Sequence, residues 1–214
     1  MHKSKKSSQV ASEEEFILPL EVFQGMSSMG SHEDHVLDQK GFIIIDKDIS
    51  KTSLSQSYKK LLALHFNTQF KDPIHIIINS PGGHCDAGWA FIDLMAFVKN
   101  KIVTIAMGEI ASMAANIFIA GDERILTPNC STMIHQFSDF GQGNYGDLVA
   151  KTKMWELEYQ RSITHLLKFS KYKTKEQIEK HLLKQNDNWL SPLDMKQHGL
   201  CDKVFVPRPR GSRT

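Results

Sequence analysis

Short apolar runs and helical patterns alternate along the chain from residue 41 onward. Residues 41–46 (GFIIID), 73–79 (PIHIIIN) and 102–107 (IVTIAM) are rich in β-branched residues and bounded by turn residues, which predicts three buried strands. Residues 53–66 and 87–99 lie between them and carry apolar side chains at helical spacing. Strands joined by crossovers of about 20 residues indicate βαβ units. The pattern therefore predicts an α/β fold whose mainly parallel sheet is covered on both faces.

The same alternation continues in the second half of the chain. Gly108 is predicted to begin a turn into a helix over residues 111–120. Residues 124–127 and 132–135 are predicted strands on either side of a Pro-Asn turn. Residues 147–169 form a long helical pattern with many charges, which indicates a helix that faces solvent or a partner, and the Gly-rich stretch before it indicates a mobile loop.

Three short elements are predicted near the end of the chain. A helix over residues 174–184 has Thr174 as its cap. A second, shorter helix ends at Gly199, and a strand follows over residues 201–206.

The two ends of the chain differ in amino-acid composition from the part between them. Residues 1–40 are polar and rich in serine and charge, which predicts a flexible N-terminal arm whose one apolar anchor is the run at 16–23. Residues 207–214 (PRPRGSRT) read as a loose basic tail. One domain is therefore expected over residues 41–206.

Composition narrows the class of function. The 214 residues carry a formal net charge of +2, so no strongly basic field favours nucleic acid as the main partner. No apolar run approaches the length of a membrane span, and the opening residues lack the apolar stretch of a secretory signal. The three cysteines are odd in number and widely spaced, which is typical of a reducing compartment. We therefore expect a cytoplasmic globular protein that binds neither nucleic acid nor membrane.

Ser112 is the first residue whose position suggests chemistry. It follows a buried strand and opens an apolar helix rich in small residues. Unpaired N–H groups and the helix dipole favour negative charge at such a place, so the hydroxyl suits a nucleophile and the N–H of Met113 suits an oxyanion donor. The alternative is that Ser112 only caps the helix.

The turn Ser80-Pro81-Gly82-Gly83 lies at the end of a neighbouring predicted strand. Its two glycines permit a close approach of the backbone to a ligand, and Gly83 offers a second N–H. The carboxyl ends of parallel strands meet at one edge of a sheet, where such sheets bind ligands. By itself, however, the segment also fits an ordinary turn from strand to helix.

A base and an orienting acid complete the candidate set. His135 ends a predicted strand after Ser112, although an isolated histidine at a strand end also fits a structural role. Spacing alone does not choose the acid. The aspartates available for that role are Asp139, Asp147, Asp187, Asp194 and Asp202.

Metal, thiol and nucleotide chemistry have less support. The run His32-Glu33-Asp34-His35 contains metal-ligating residue types, but it lies in the arm with no further ligand nearby, so no metal site is expected. Cys85 lies where the helix after the glycine turn begins, and we interpret it as a packed thiol. No Gly-rich phosphate loop of either common type occurs, so no nucleotide cofactor is expected.

Together these pieces resemble the proteolytic subunit of the Clp protease (ClpP), a family of self-compartmentalised serine peptidases. The resemblance covers residues 41–205 and is carried by four segments in family order. They are IIINSPGGHCDAG (76–88), VTIAMGEIASMAANIFIAG (103–121), LTPNCSTMIHQ (126–136) and DNWLSPLDMKQHGLCDKV (187–204).

The resemblance implies a crotonase-like head domain, a superhelix of ββα units, with an extended handle helix in the region 137–175. It also implies a catalytic triad of Ser112 as nucleophile, His135 as general base and Asp187 as the orienting acid. Gly83 and Met113 are the implied oxyanion-hole donors. The implied binding segments for an extended substrate strand are Gly82, Gly83, His84 and Gln136.

The resemblance further implies an assembly. Family members form heptameric rings that stack into a tetradecamer, and a hexameric Clp-type AAA+ ATPase feeds unfolded polypeptides into the chamber. The peptidase subunit itself then needs no cofactor, because only the partner ATPase uses ATP. The expected location is the cytoplasm or its organellar equivalent, the matrix or stroma. Residues 1–40 do not match the usual axial loop of the family, so the alternatives of an axial loop, a removable propeptide and a flexible arm all stay open.

Two departures from the family pattern keep alternatives open. Asn186 stands where the residue before the triad aspartate is commonly arginine, and His75 lies where the ATPase-docking strand often carries aromatic residues. These substitutions motivate a second interpretation, a non-catalytic or weakly active ring subunit with an assembly or docking role. A third interpretation is acyl-CoA chemistry on the same fold. In that case Ser112, His135 and Asp187 would have no catalytic role.

Overall fold

The computed structural model describes residues 36–37 and 39–205. Residues 1–35 and 38 of the predicted N-terminal arm lie outside these residues, and with them the apolar anchor and the histidine run at 32–35. The basic tail also lies outside them. The strands are β1 (Phe42–Ile45), β2 (Ile74–Ser80), β3 (Ile102–Ala111), β4 (Glu123–Leu126), β5 (Ser131–Ile134), β6 (Asn188–Leu190) and β7 (Lys203–Val204). The helices are α1 (Ser55–Phe66), α2 (Cys85–Phe97), α3 (Met113–Ile119), α4 (Tyr145–Phe169), α5 (Lys175–His181) and α6 (Pro192–Gln197).

The strands form one sheet in the order β1-β2-β3-β4-β7, and every pair along this path is parallel. Strand β5 pairs with β3 in parallel, and β6 pairs with β5 antiparallel. The predicted α/β class with a mainly parallel sheet is confirmed. The carboxyl ends of β2, β3 and β5 consequently meet at one edge, where the candidate residues of the sequence lie.

The prediction that Gly108 begins a turn is wrong, because β3 continues through it to Ala111. The first half of β3 pairs with β4 through Val103–Ala106, and its last residues pair with β5. Gly108 has a φ of +66° and lies where the strand changes partner, and the N–H of the next residue, Glu109, is bound by the Asn79 side chain. Because β3 extends this far, its last residues pair with β5 before α3 begins.

Helices α2 and α3 pack over the parallel strands around a continuous apolar core. Ile76 and Ile78 of β2, Phe91 of α2 and Phe118 of α3 are completely buried. Burying side chains of this size stabilises the fold by about 1.5–3 kcal/mol each. This packing gives the loops at the sheet edge a rigid support.

Helix α4 is long and changes character along its length. Asn144 and Asp147 form a capping box at its start. Its first half is exposed, including Tyr145 and Val149, whereas Ile163 and Leu166 in its second half join the core. The prediction of a helix facing solvent or a partner is therefore confirmed for the first half only.

The shorter elements differ in length from their predictions. Thr174 caps α5 as predicted, its hydroxyl accepting from the Gln177 N–H, but the helix ends at His181. Strand β6 was not predicted, since its three residues are too short to give a periodic signal. Within the described ranges, no helix is long and apolar enough to cross a membrane.

Candidate active site

Ser112 lies in the link between β3 and α3 with a strained backbone. Its φ of +54° and ψ of −120° place a non-glycine residue in a sparsely populated region. Its N–H donates to the Met133 carbonyl at 2.9 Å, which anchors the link to β5. Its hydroxyl makes no capping bond to α3, so the capping alternative is wrong. Backbone strain held in this way presents a side chain at a sharp corner.

The Ser112 hydroxyl instead contacts His135 at the end of β5. Ser112 Oγ and His135 Nε2 are 2.7 Å apart, a short distance for a hydrogen bond between oxygen and nitrogen. The contact joins residues from two parallel strands that pair through Ala111 and Met133. Nε2 is therefore placed to take the hydroxyl proton.

Asp187 lies on the other side of the imidazole. Its Oδ1 is 3.7 Å from His135 Nδ1, and its side chain is 59% exposed. This separation is longer than a direct hydrogen bond but short enough for an ion pair with a protonated ring. The structure thus brings together the serine, histidine and one of the five candidate aspartates.

The other four aspartates have partners elsewhere in the molecule. Two of them cap helices, one binds an indole, and one forms an ion pair. They are Asp147 at the start of α4, Asp194 at the start of α6, Asp139 with Trp155 and Asp202 with Arg124.

Hydrogen bonds from two amide side chains hold the loop that carries Asp187 in place. Asn188 is buried, and its Nδ2 donates to the carbonyls of His181 and Leu182 at 3.0 and 3.1 Å. Gln136 Nε2 donates to the Leu183 carbonyl at 3.0 Å. The side chain of Gln136 therefore holds this loop beside His135.

The glycine turn packs directly against the Ser112 link. A Cβ on Gly82, which has a φ of +93°, would lie 2.5 Å from the Ala111 oxygen and 2.8 Å from Ser112 Cβ. Gly83 pairs with Ile49 in a parallel bridge, in which the Gly82 carbonyl and the His84 N–H make the two hydrogen bonds. In that pattern the N–H of Gly83 points away from Ile49. Both glycines are thus required by close backbone contact.

Several side chains beside Ser112 line a narrow cleft that the sequence did not predict. Cys85 and Trp89 come from α2, Ser162 and Leu166 from α4. Burial is the main cause that raises the pKa of Cys85 to about 11, so its thiol is protonated at neutral pH, in accordance with the prediction of a packed thiol. The contribution of α4 had no sequence signal, because it depends on how a distant helix packs.

No metal site is found in the part of the chain that the structure describes, since no three His, Cys, Asp or Glu side chains are grouped to hold an ion. The Ser112 site brings together a hydroxyl, an imidazole and a carboxylate. These are the parts of nucleophilic acyl-transfer chemistry.

Comparison with known proteins gives the family. The family model for Clp protease matches residues 29–208. The chain belongs to the Clp protease family. It is 34% identical over 163 residues to the ATP-dependent Clp protease proteolytic subunit 3 of Streptomyces avermitilis, which covers 75% of this chain and 70% of that protein. The Clp family assignment agrees with the mixed α/β architecture and supports a protease of this type.

Proposed function

We propose that this chain is a serine endopeptidase that degrades unfolded proteins and peptides. The observation that carries the proposal is the 2.7 Å contact between Ser112 Oγ and His135 Nε2 on a strained, rigidly supported link. Neutral imidazole at this distance accepts the hydroxyl proton as Oγ attacks a peptide carbonyl. The roles proposed are nucleophile for Ser112, general base for His135 and orienting acid for Asp187.

The N–H groups of Gly83 and Met113 are the proposed oxyanion hole. Attack forms the Oγ–C bond and moves the carbonyl π electrons onto oxygen, which both N–H groups then stabilise. Each such donor contributes about 3 kcal/mol to the transition state where it has been tested. Collapse of the intermediate breaks the C–N bond, and the leaving amine takes the proton from His135. Water then hydrolyses the ester by the same route.

Asp187 orients His135 and stabilises the imidazolium that forms during attack. Its distance of 3.7 Å is expected to shorten once substrate is bound, because catalytic hydrogen bonds often tighten in the complex. The exposed position of Asp187 makes this step dependent on the loop that Asn188 and Gln136 anchor.

The substrate is proposed to bind as an extended strand. Gly82, Gly83 and His84 would lie along one side of it and the chain at Gln136 along the other. The strand-like pairing of Gly83 with Ile49 supports this, because the turn runs there as extended backbone. A substrate strand beside it would be held by backbone hydrogen bonds with little dependence on sequence. Unfolded polypeptides meet this requirement, whereas folded ones do not expose extended backbone.

The proposed assembly is two heptameric rings stacked into a tetradecamer. The exposed first half of α4 supports a handle that packs against another copy, because Tyr145, Val149 and Leu157 present apolar side chains to solvent. A hexameric Clp-type ATPase is the proposed partner that feeds the chamber, and ATP would act only there. No cofactor is proposed for this subunit. The proposed location is the cytoplasm, which suits the free thiols of Cys85, Cys130 and Cys201.

Hydrolysis of a short fluorogenic peptide by the protein and by Ser112→Ala tests the proposal. Short peptides need no ATPase to unfold them, so the test isolates the site from the partner. Turnover that is lost in Ser112→Ala, with unchanged circular dichroism, is the expected result. Turnover that persists in the variant would overturn the proposal. If neither protein turns over as an assembled ring, the non-catalytic ring subunit becomes the better interpretation.

A further inference from the structure

The cleft beside Ser112 is small, and Trp89 is one of the side chains that line it. Trp89 lies one helical turn after Cys85 on α2, and both face the space beside Ser112 and His135. The volume left between the lining side chains is about 20 Å³, room for about one water molecule. A methyl or hydroxymethyl group fits such a space, whereas a leucine or phenylalanine side chain does not.

Trp89 is held in place by a buried carboxylate. Its Nε1–H donates to Glu158 Oε2 at 2.7 Å, and Glu158 is only 7% exposed. Arg161 pairs with the same carboxylate from the next turn of α4. Swinging the indole away would leave a buried acceptor without its donor, which is unfavourable.

A second contact restrains the indole of Trp89. The His165 ring packs against Trp89 in a T-shaped arrangement, with the ring centroids 5.3 Å apart. His165 Nε2 is itself 3.0 Å from the Asn116 carbonyl oxygen on α3. Burial lowers the pKa of His165 to about 4, so at neutral pH the ring is uncharged and donates its Nε2–H to that carbonyl. The wall is therefore braced against both α3 and α4.

We infer that Trp89 makes this site select small residues, alanine and serine above all, on the acyl side of the bond that is cleaved. The inference rests on the proposed function and names the substrate class of the same site. The residue whose carbonyl Ser112 attacks must place its side chain next to Ser112 and His135. The indole of Trp89 lines that space. A larger side chain at that position has to displace Trp89 and with it the contacts to Glu158 and His165.

The test uses one peptide in five versions that differ only at this residue, which is alanine, serine, valine, leucine or phenylalanine, followed by a fluorogenic amine. We expect kcat/KM for alanine and serine to exceed that for leucine and phenylalanine at least tenfold, the range in which a pocket distinguishes apolar side chains of different size. Trp89→Leu should raise kcat/KM for the leucine and phenylalanine peptides at least tenfold. Its kcat/KM for the alanine peptide should stay within threefold of that of the unaltered protein.

Phe97→Leu is the matched control, because this aromatic residue lies on the last turn of the same helix and is 61% exposed. It should keep the ranking of the unaltered protein. Trp89→Phe retains an aromatic ring without the Nε1–H donor, so it should reduce the preference for small residues only in part. This variant replaces Trp89→Leu in the test if Trp89→Leu does not fold.

Two results would overturn the inference. The first is equal cleavage of the phenylalanine and alanine peptides by the unaltered protein, and the second is an unchanged ranking in folded Trp89→Leu. Either result leaves the proposed peptidase standing, since peptides are still cleaved in a Ser112-dependent manner. Cleavage of none of the five peptides would overturn the proposed function and the inference together.

Discussion

Replacing Gly82 by alanine should disable the site through a clash between backbone segments. The new Cβ would lie 2.5 Å from the Ala111 carbonyl oxygen, 2.8 Å from Ser112 Cβ and 3.0 Å from the Met113 nitrogen. Ordinary contact begins at about 3.5 Å, so the turn and the Ser112 link must separate by roughly 1 Å. The atoms that would be displaced belong to the proposed nucleophile and an oxyanion donor.

The magnitude follows from two effects. A misplacement of about 1 Å in a catalytic group lowers the rate roughly a hundredfold, so kcat/KM of Gly82→Ala should fall by at least that factor. The φ of +93° adds backbone strain for alanine, about 1–3 kcal/mol, and forced separation in a packed site adds a similar amount. We therefore expect the free energy of unfolding to fall by about 3 kcal/mol.

Peptide hydrolysis and urea denaturation measure the two effects separately. Pro81→Ala is the matched control, because it alters the same turn at an exposed residue and adds no Cβ toward Ser112. Its kcat/KM should stay within threefold and its stability within about 1 kcal/mol. If Gly82→Ala is as active and as stable as Pro81→Ala, the close approach of the turn to Ser112 does not support the site.

Three further predictions concern the surroundings of the site. Asp187→Asn should lower kcat at least tenfold. The loss should be smaller than the roughly 10⁴-fold seen for a buried triad acid, because the Asp187 carboxylate is exposed. Steady-state kinetics at pH 8 measures the change in kcat. Arg124→Ala should lower the free energy of unfolding by about 2–4 kcal/mol in urea, since Arg124 binds Asp202 and the Phe169 and Gly199 carbonyls; equal stability at pH 7 would contradict this. His165→Leu should remove part of the loss of stability on acidification. Burial lowers the pKa of His165 to about 4, so the unfolded chain binds the additional proton below about pH 6.5. The stability of the unaltered protein therefore falls between about pH 6.5 and 4, and a titration of thermal unfolding compares the two slopes.

The order of strands and helices could be predicted from the sequence because the central elements are strongly periodic. The runs at β2 and β3 are short, rich in β-branched residues and bounded by turn residues, which indicates strands rather than helices. The boundary at Gly108 could not be predicted, since the polar residues there look like a turn unless one knows that β5 supplies a second partner for β3. Strand continuation at this point is a tertiary effect.

The candidate site could be predicted in its residue types but not in its geometry. The sequence indicates Ser112 and His135 as candidates, whereas only the family resemblance selects Asp187 among the five aspartates. The indole of Trp89 and the carboxylate of Glu158 lie 69 positions apart in the sequence. No local pattern indicates that Glu158, midway along α4, is buried and binds a tryptophan of α2.

The site gathers its parts from distant stretches of the chain, with Gly82, Ser112, His135 and Asp187 each on a separate connection of one sheet. Contacts between residues so far apart in sequence form late and slowly during folding. A chain that is still folding therefore has Ser112 without His135 beside it, or both without Asp187 and the proposed oxyanion donors. The proposed peptidase activity would then require the completed fold, and a partly folded copy would lack it.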